Sequence, residues 1–317
     1  MSTAIGTTTP RQKETLDMRT YTIAAFGAVL ALAACSAPTP PPPVAQIETI
    51  RFTAEFGGTP FACGKSYRLG TPPVAAMPTD LRFYVTGVEL LRADGSAVPF
   101  MLAGDTTWQG QGVALLDFED GTGPCAAGGS SATNTTLRGT APAGDYTGLR
   151  FVLGVPAAVN HQDAAIASEP LNVTAMFWNW QNGYKFLKAD FNVSGRPMAK
   201  PAAGHVDSSG FALHLGSTQC ASAGPTQPGT DCKNPNRPTI TLSGFNPLRD
   251  TVVVDLAPVL QRADLRRNTP KTPAGCMSFP GDPECRVVLP PMGVPYADVP
   301  AGQQRLFTAR AATKPAQ

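Results

Sequence analysis

Short runs of alternating apolar and polar residues, separated by turn signals, restrict the fold of this chain more than any other feature. The segment IETIRFTAEF places Ile50 and Phe52 on one face of a strand. Residues 170–193 predict a hairpin that turns at Asn182-Gly183. Strands of this kind with turns between them are typical of an antiparallel sandwich or barrel. We predict an all-β fold, an antiparallel β-sandwich with long disulfide-pinned loops.

The N-terminal region has the features of a bacterial export signal. Residues 18–35 read MRTYTIAAFGAVLALAAC, with Arg19 ahead of an apolar run and a Leu-Ala-Ala-Cys ending that resembles a lipobox. The apolar run is shorter than the roughly 20 residues that a membrane-spanning helix needs. We therefore predict a lipoprotein signal peptide that ends at a lipidated Cys35. Residues 1–17 are then an over-long gene start.

The rest of the chain divides into a tether, one large domain and a tail. Residues 36–46 contain five prolines, and such a run predicts a stiff polyproline tether. A β-sandwich domain is predicted for residues 47–309 and a disordered tail for residues 310–317. The expected location is the bacterial cell envelope, lipid-anchored and facing the periplasm, in the outer membrane or at the cell surface.

Six cysteines remain after Cys35, and an even number in an exported chain indicates disulfides. Six cysteines allow 15 pairings. A thiolate metal site is the alternative, but the sequence contains no CxxC. The short loops that they would close favour the pairs Cys220–Cys232 and Cys276–Cys285. This leaves Cys63 to pair with Cys125.

All three histidines and two of the three tryptophans lie between residues 161 and 214. Strand alternation directs His214 away from its apolar neighbours and predicts that Trp178 and Trp180 share one face. Imidazole suits copper and zinc, but two imidazoles alone make an incomplete site. In general, a histidine on a strand is more often structural, and a Trp-x-Trp strand is more often core or a stacking platform for a sugar.

Seven stretches of the sequence resemble the MbnP family, the copper-binding proteins of methanobactin operons, also called the metallo-mystery pair four-Cys family. They run from about residue 50 to about residue 290 and cover nearly the whole chain after the tether. The stretches are FGGTPFACGKSY, DLRFYVTGVEL, LLDFEDGTGPC, YTGLRFVLGVPAAVNHQD, PLNVTAMFWNWQNGYKF, FALHLGSTQC and GCMSFPGDPEC.

The resemblance implies an exported copper-binding protein that is the substrate of a di-haem enzyme similar to the MauG peroxidases and not itself an enzyme. That partner oxidises a tryptophan to kynurenine, whose aniline nitrogen and ketone supply a donor that two histidines lack. The VNHQD and LHLGS motifs imply His161 and His214 as copper ligands. The FWNWQ motif implies Trp178 or Trp180 as the modified residue, and we favour Trp180, which is nearer the turn. His205 lies outside these motifs.

Copper is expected in preference to zinc because nitrogen donors with few carboxylates rank Cu(II) highest. Two other functions stay open from the residues alone. One is a carbohydrate- or surface-binding module that uses Trp178 and Trp180 as a platform. The other is a secreted metallo-hydrolase or oxidase with Asp163, near His161, as its base. A net charge of +2 with 15% charged residues gives no basic field, so nucleic acid is not an expected partner.

Overall fold

A computed structural model describes residues 46–104, 107–195, 210–224 and 226–311. The predicted signal peptide, Cys35, His205 and the tether up to residue 45 lie outside these ranges. None of the helices within them has the length and apolar character that crossing a membrane requires.

The described ranges contain seventeen strands and several one-turn helices. The strands are β1 (Gln46–Phe56), β2 (Thr59–Pro60), β3 (Tyr67–Leu69), β4 (Val74–Leu91), β5 (Ala97–Pro99), β6 (Met101–Leu102), β7 (Gln109–Gly110), β8 (Val113–Asp117), β9 (Thr136–Pro142), β10 (Gly148–Leu153), β11 (Phe177–Asn179), β12 (Gly183–Val193), β13 (Gly210–Gly216), β14 (Thr239–Ser243), β15 (Asp250–Asp255), β16 (Gly275–Cys276) and β17 (Phe307–Ala311). The α-helices are α1 (Ala157–Asn160), α2 (Ala257–Leu260) and α3 (Cys285–Val288), and the 3₁₀ helices are Gly123–Ala127, Thr174–Met176 and Pro290–Met292.

The strands form two sheets, which confirms the predicted all-β sandwich. One sheet has the order β17-β15-β1-β9-β6, with β2 paired to β1. The other has the order β14-β10-β4-β12-β13-β16, with further short strands on β4, β8 and β12. The described pairs are antiparallel with two exceptions, β1 with β15 and β13 with β16. The sandwich is therefore mixed, not purely antiparallel.

Phenylalanine rings from both sheets meet in the core between them. Phe52 of β1 lies 6.1 Å from Phe83 of β4 and 6.0 Å from Phe151 of β10, between ring centroids. Phe307 of β17 lies 5.4 Å from Phe83 and 5.2 Å from Phe151. Edge-to-face contacts of this kind add to the hydrophobic gain from burying the rings. The alternation predicted for β1 is confirmed, because Ile50 and Phe52 are buried.

The long strand β4 is covered on its second face as well, since every residue from Asp80 to Thr86 is buried. Loop segments lie over this face. The Tyr84 hydroxyl donates a hydrogen bond to the Pro170 carbonyl (3.1 Å), and the Ser278 hydroxyl donates one to the His214 carbonyl (2.7 Å). The covered face of this sheet carries the candidate site.

Three disulfides fasten the loops, in the arrangement that the short loops favoured. They join Cys63 to Cys125, Cys220 to Cys232 and Cys276 to Cys285. The predicted hairpin is also present, because β11 pairs with β12 in antiparallel register around the turn before Gly183.

The predicted boundaries of the domain are corrected at both ends. Strand β1 begins at Gln46, the last residue assigned to the tether. Strand β17 extends to Ala311, and Arg310 donates to Glu55 (2.6 Å) while pairing with Thr251 of β15. The prediction of a disordered tail was therefore wrong for residues 310 and 311, because a neighbouring strand supplies the backbone partners. Residues 312–317 lie outside the described ranges.

A matched pair of leucine substitutions tests the position of the core. Leu149 of β10 is fully buried, whereas Leu248 is 70% exposed. We expect Leu149→Ala to lower the free energy of unfolding by about 2–5 kcal/mol, because it removes apolar burial and leaves a cavity. Leu248→Ala should change it by about 0.5 kcal/mol or less. Urea denaturation measures both, and equal effects of the two substitutions would contradict the described core.

Candidate metal site

Four polar side chains form a row across the covered face of the larger sheet. Asp117 of β8 lies opposite Arg82 of β4. Arg82 lies opposite Lys188 of β12, and Lys188 lies opposite His214 of β13. Because residues directly opposite one another in a sheet point to the same face, the four side chains lie side by side. His214 stands at one end of this row.

Ion pairs of alternating sign connect Arg82, Asp80, Lys188 and Asp190, and a hydrogen bond connects Asp190 to His214. We call these five residues the ionic chain. The Asp80 carboxylate accepts from both Arg82 and Lys188. Lys188 also lies 3.4 Å from Asp190, whose Oδ1 lies 2.7 Å from Nε2 of His214. Burial opposes ionisation of Asp190, but His214 and Lys188 outweigh it and hold the pKa of this carboxyl below its usual range. Each charge along the chain therefore has a partner of opposite sign.

Two neighbouring rings each carry a nitrogen that has no hydrogen-bond partner in the described chain. Nδ1 of His214 is buried and unpaired, and so is Nε1 of Trp178. The centroids of these two rings are 6.4 Å apart. A buried polar group without a partner costs about 1–3 kcal/mol, so native proteins rarely keep one without a reason. Two of them on adjacent rings mark a place that is suited to a ligand.

The packing around Trp178 explains its position. The ring lies directly on Gly216, where any side chain would overlap it. Its other neighbour is Phe279, at 5.3 Å between centroids, which is carried by the loop between Cys276 and Cys285. A glycine in β13 and an aromatic ring in a disulfide-pinned loop therefore hold the indole beside His214.

Trp180 has different surroundings. Strand β11 ends at Asn179, so Trp180 lies in the turn, where strand alternation no longer applies. Its ring contacts Phe177 at 6.4 Å between centroids. The expectation that the two indoles lie side by side on one face was wrong, because each indole has its own ring partners among the described contacts.

His161 follows helix α1 and contacts Trp180 through the backbone. Its Nδ1 lies 3.2 Å from the Trp180 carbonyl, and its Nε2 lies 3.1 Å from Nδ2 of Asn160. Burial lowers the pKa of His161, partly opposed by the hydrogen bond to Trp180. Burial thus favours the neutral ring, in which Nδ1 donates to the Trp180 carbonyl and Nε2 accepts from Asn160.

The ligand atoms of His161, Cys220 and Cys232 lie within 4.8 Å of one another. Nε2 of His161 is 3.6 Å from Sγ of Cys232. These two cysteines form a disulfide, however, and a disulfide sulfur is not the thiolate that zinc or copper prefers. The group is therefore an imidazole beside a disulfide, not a thiolate site.

The two predicted histidine ligands lie in neighbouring environments. No hydrogen bond or ring contact in the described ranges joins His161 to His214. They are linked indirectly, because Nδ2 of Asn160, the residue before His161, donates to the Ser217 hydroxyl (2.8 Å), and Ser217 directly follows the end of β13 at Gly216. The structure thus brings Trp178 to His214, and the Trp180 backbone to His161.

Other polar residues have roles that sequence reasoning missed or assigned differently. Asp163, the candidate base beside His161, accepts a hydrogen bond from the backbone of Ala165 (2.9 Å) and so stabilises a turn. Asp190 and Lys188 were not singled out. The sequence pattern that could have identified them is in the segment KFLKADFNV, where Lys188 and Asp190 stand two residues apart in an otherwise mainly apolar strand.

The comparisons with known proteins agree with this fold. The family model described as MbnP matches residues 45–278. The chain belongs to the MbnP family. The solved structure of MbnP from Methylosinus trichosporium is similar to it, with a TM-score of 0.73 and 29% sequence identity, over 85% of this chain and 99% of that chain. No curated protein matches. The resemblance of the seven stretches is confirmed, and family membership supports a methanobactin-related, copper-associated protein.

The residues around His214 provide only some of the ligands that a copper ion would need. Its unpaired Nδ1 is a nitrogen donor of the kind that copper prefers. The indole Nε1–H of Trp178 only donates hydrogen bonds and offers no lone pair to a metal. The site therefore has one good ligand and one ring that would need chemical change to become another.

Asp117, at the other end of the row, leads to a prediction about how the stability of the protein depends on pH. Burial, reinforced by Glu119 and opposed by Arg82, raises the pKa of Asp117 to about 8. In the unfolded chain the value is about 3.9. At a pH between these two pKa values, Asp117 is protonated in the folded protein and ionised in the unfolded chain. The free energy of unfolding therefore falls as pH rises, by at most about 1.4 kcal/mol per pH unit. Asp117→Asn should remove this slope in urea denaturation at a series of pH values.

Asp94 supplies the control for that experiment. It is exposed, and hydrogen bonds from Ser96 lower the pKa of its carboxyl. Asp94→Asn should therefore lower stability by a constant amount across the neutral range and alter the slope only at acid pH, below about 3.9, where the wild type loses this contribution. An unchanged slope for Asp117→Asn across the neutral range would contradict the assignment of Asp117.

Proposed function

We propose that this protein is an exported copper-binding protein whose site is completed by oxidation of Trp178 to kynurenine. The observation that carries the proposal is the pair of unpartnered buried nitrogens on His214 and Trp178. Membership of the MbnP family supports copper as the metal. The protein acts in copper capture, storage or handover, and it is a substrate of its partner enzyme, not an enzyme itself.

The modification converts a ring that cannot bind metal into one that can. Cleavage of the indole C2–C3 bond inserts two oxygen atoms and gives N-formylkynurenine, and hydrolysis then releases formate. One dioxygen, or two hydrogen peroxide molecules with release of two water molecules, supplies the oxygen. A di-haem enzyme similar to the MauG peroxidases is the proposed partner that carries out the oxidation. The net change is the gain of one oxygen atom and the loss of one carbon atom.

The product gives the donor that the site lacks. Kynurenine carries an aniline nitrogen and a ketone where the indole had a single N–H group. Beside the His214 ring, either group adds a second donor to Nδ1, and nitrogen and oxygen donors of this kind favour Cu(II) in the Irving–Williams order. His161 remains the further candidate ligand, because Asn160 and Ser217 connect it to the strand of His214.

Trp178 replaces Trp180 as the favoured site of modification for a structural reason. Trp178 is adjacent to a histidine ring, whereas the described ring contact of Trp180 is with Phe177. The carbohydrate-binding alternative loses support from the same contacts, since a platform needs the two indoles on a common face.

Export and anchoring belong to the same proposal. The signal at residues 18–35 and its lipobox-like ending would place Cys35 at a membrane surface in the cell envelope. Three disulfides in the described domain support an oxidising compartment. A partner enzyme would have to reach the protein in that compartment.

Matched tryptophan substitutions test the modification. The protein is co-expressed with its di-haem partner, and peptide mass spectrometry locates kynurenine while metal analysis measures bound copper. We expect wild type and Trp180→Phe to contain kynurenine at residue 178 and copper. Trp178→Phe should contain neither, because phenylalanine cannot be converted to kynurenine.

Two results would contradict the proposal. Copper retained by Trp178→Phe would show that the modified residue is not a ligand. Kynurenine found at residue 180 and absent from residue 178 would show that the ring contact with His214 does not select the modified residue.

A further inference from the structure

We infer that Asp190 is a positioning residue that holds His214 in the tautomer protonated on Nε2 and leaves Nδ1 as the donor atom for a metal. The inference rests on the proposed function for the identity of the metal. It goes beyond that function because it assigns the binding atom and identifies the group that selects it.

The hydrogen bond between the two side chains fixes the tautomer. Oδ1 of Asp190 lies 2.7 Å from Nε2 of His214, and an ionised carboxylate can only accept a hydrogen bond. The proton must therefore be on Nε2. A neutral imidazole with its proton there has its lone pair on Nδ1, and Nδ1 has no partner in the described chain that competes for it.

The ionic chain keeps Asp190 in place. Lys188 binds both Asp190 and Asp80, and Asp80 in turn binds Arg82. The far end is fixed as well, because Nη2 of Arg82 donates to the Gly128 carbonyl at 3.0 Å. A rotation of the Asp190 carboxylate would leave Lys188 without one of its two partners. The orientation of the His214 ring is thus set by contacts that cross β4, β12 and β13.

The carboxylate has a second effect on the imidazole. Hydrogen bonding of the remote ring nitrogen to a negative group makes the binding nitrogen more basic, and loss of such a partner typically lowers metal affinity about 10–100-fold. A more basic nitrogen favours Cu(II) because this ion is the harder of the two copper states. Asp190 is thus expected to influence both geometry and affinity.

The tautomer is measured first on the metal-free protein by nitrogen NMR of labelled histidine. The chain has only three histidines, so substitution of each one assigns the signals. We expect His214 in wild type to show a protonated Nε2 and an unprotonated Nδ1. Asp190→Ala should give a mixture of tautomers. A wild-type ring protonated on Nδ1, alone or as imidazolium at neutral pH, would overturn the inference.

Copper affinity is then measured on protein that contains kynurenine, by titration with Cu(II) against a competing chelator. We expect Asp190→Ala to bind about 10–100-fold more weakly than wild type. Asp190→Asn keeps the shape of the side chain, but its amide can donate to Nε2 and so favour the proton on Nδ1, and it should therefore lose at least as much affinity as Asp190→Ala. Copper affinity that stays at the wild-type level in Asp190→Asn would overturn the positioning role.

Glu89→Gln is the matched control. Glu89 is also a strand carboxylate in an ion pair, with Arg150 at 2.7 Å, but it stands outside the ionic chain. Its substitution should leave the His214 tautomer and the copper affinity unchanged, and a loss equal to that of Asp190→Ala would overturn the inference. The experiments distinguish failure of this inference from failure of the proposed function. Wild-type protein that shows the expected tautomer but takes up no copper would contradict the proposed function alone.

Discussion

The ionic chain from Arg82 to His214 is the constraint on which the arrangement of the site depends. Removing a charge from water costs several kcal/mol per ion, and only close partners of opposite sign offset it. Asp80 and Arg82 are almost fully buried, so their strands must keep the register that brings these partners together. A shift of one residue between β4 and β12 would turn Lys188 into the core and leave Asp80 without one of its two cations.

The disulfide-pinned loops follow from the same constraint, because a charged sheet face can be buried only if something polar covers it. The Gly128 carbonyl near Cys125 accepts from Arg82, and Phe279 and Ser278, between Cys276 and Cys285, cover Trp178 and His214. The third disulfide lies beside His161. Irregular loops have little hydrophobic core of their own, and disulfides stabilise them by reducing the conformational entropy of the unfolded chain. The disulfide-bonded loops are thus the covering layer that allows the charged face of the sheet to be buried.

Much of the fold could be predicted from local sequence, and much of the site could not. Alternation identified the buried face of β1, the Asn-Gly turn identified the hairpin, and loop length favoured the correct cysteine pairs. The parallel pairing of β1 with β15 joins residues about two hundred positions apart and leaves no local signal. The charges of β12 were overlooked because charged residues in a strand usually face solvent, and only the covering loops make them buried. The preference for Trp178 over Trp180 rests on the contact of Trp178 with His214, which local sequence does not show because Gly216 and Phe279, both distant in sequence, hold the indole there.

Making a ligand after folding, as the proposed function requires, resolves a conflict between packing and metal binding. During folding, an indole contributes a large apolar surface and leaves at most one polar atom unsatisfied, so Trp178 can pack on Gly216 and Phe279 without any metal. An aniline and a ketone in the same place would each cost free energy on burial unless they found partners. Oxidation of the packed ring would deliver those polar groups beside the His214 ring, whose Nδ1 has no partner in the described chain. The fold would then be independent of copper, and the affinity for copper would be controlled by the enzyme that alters the ring.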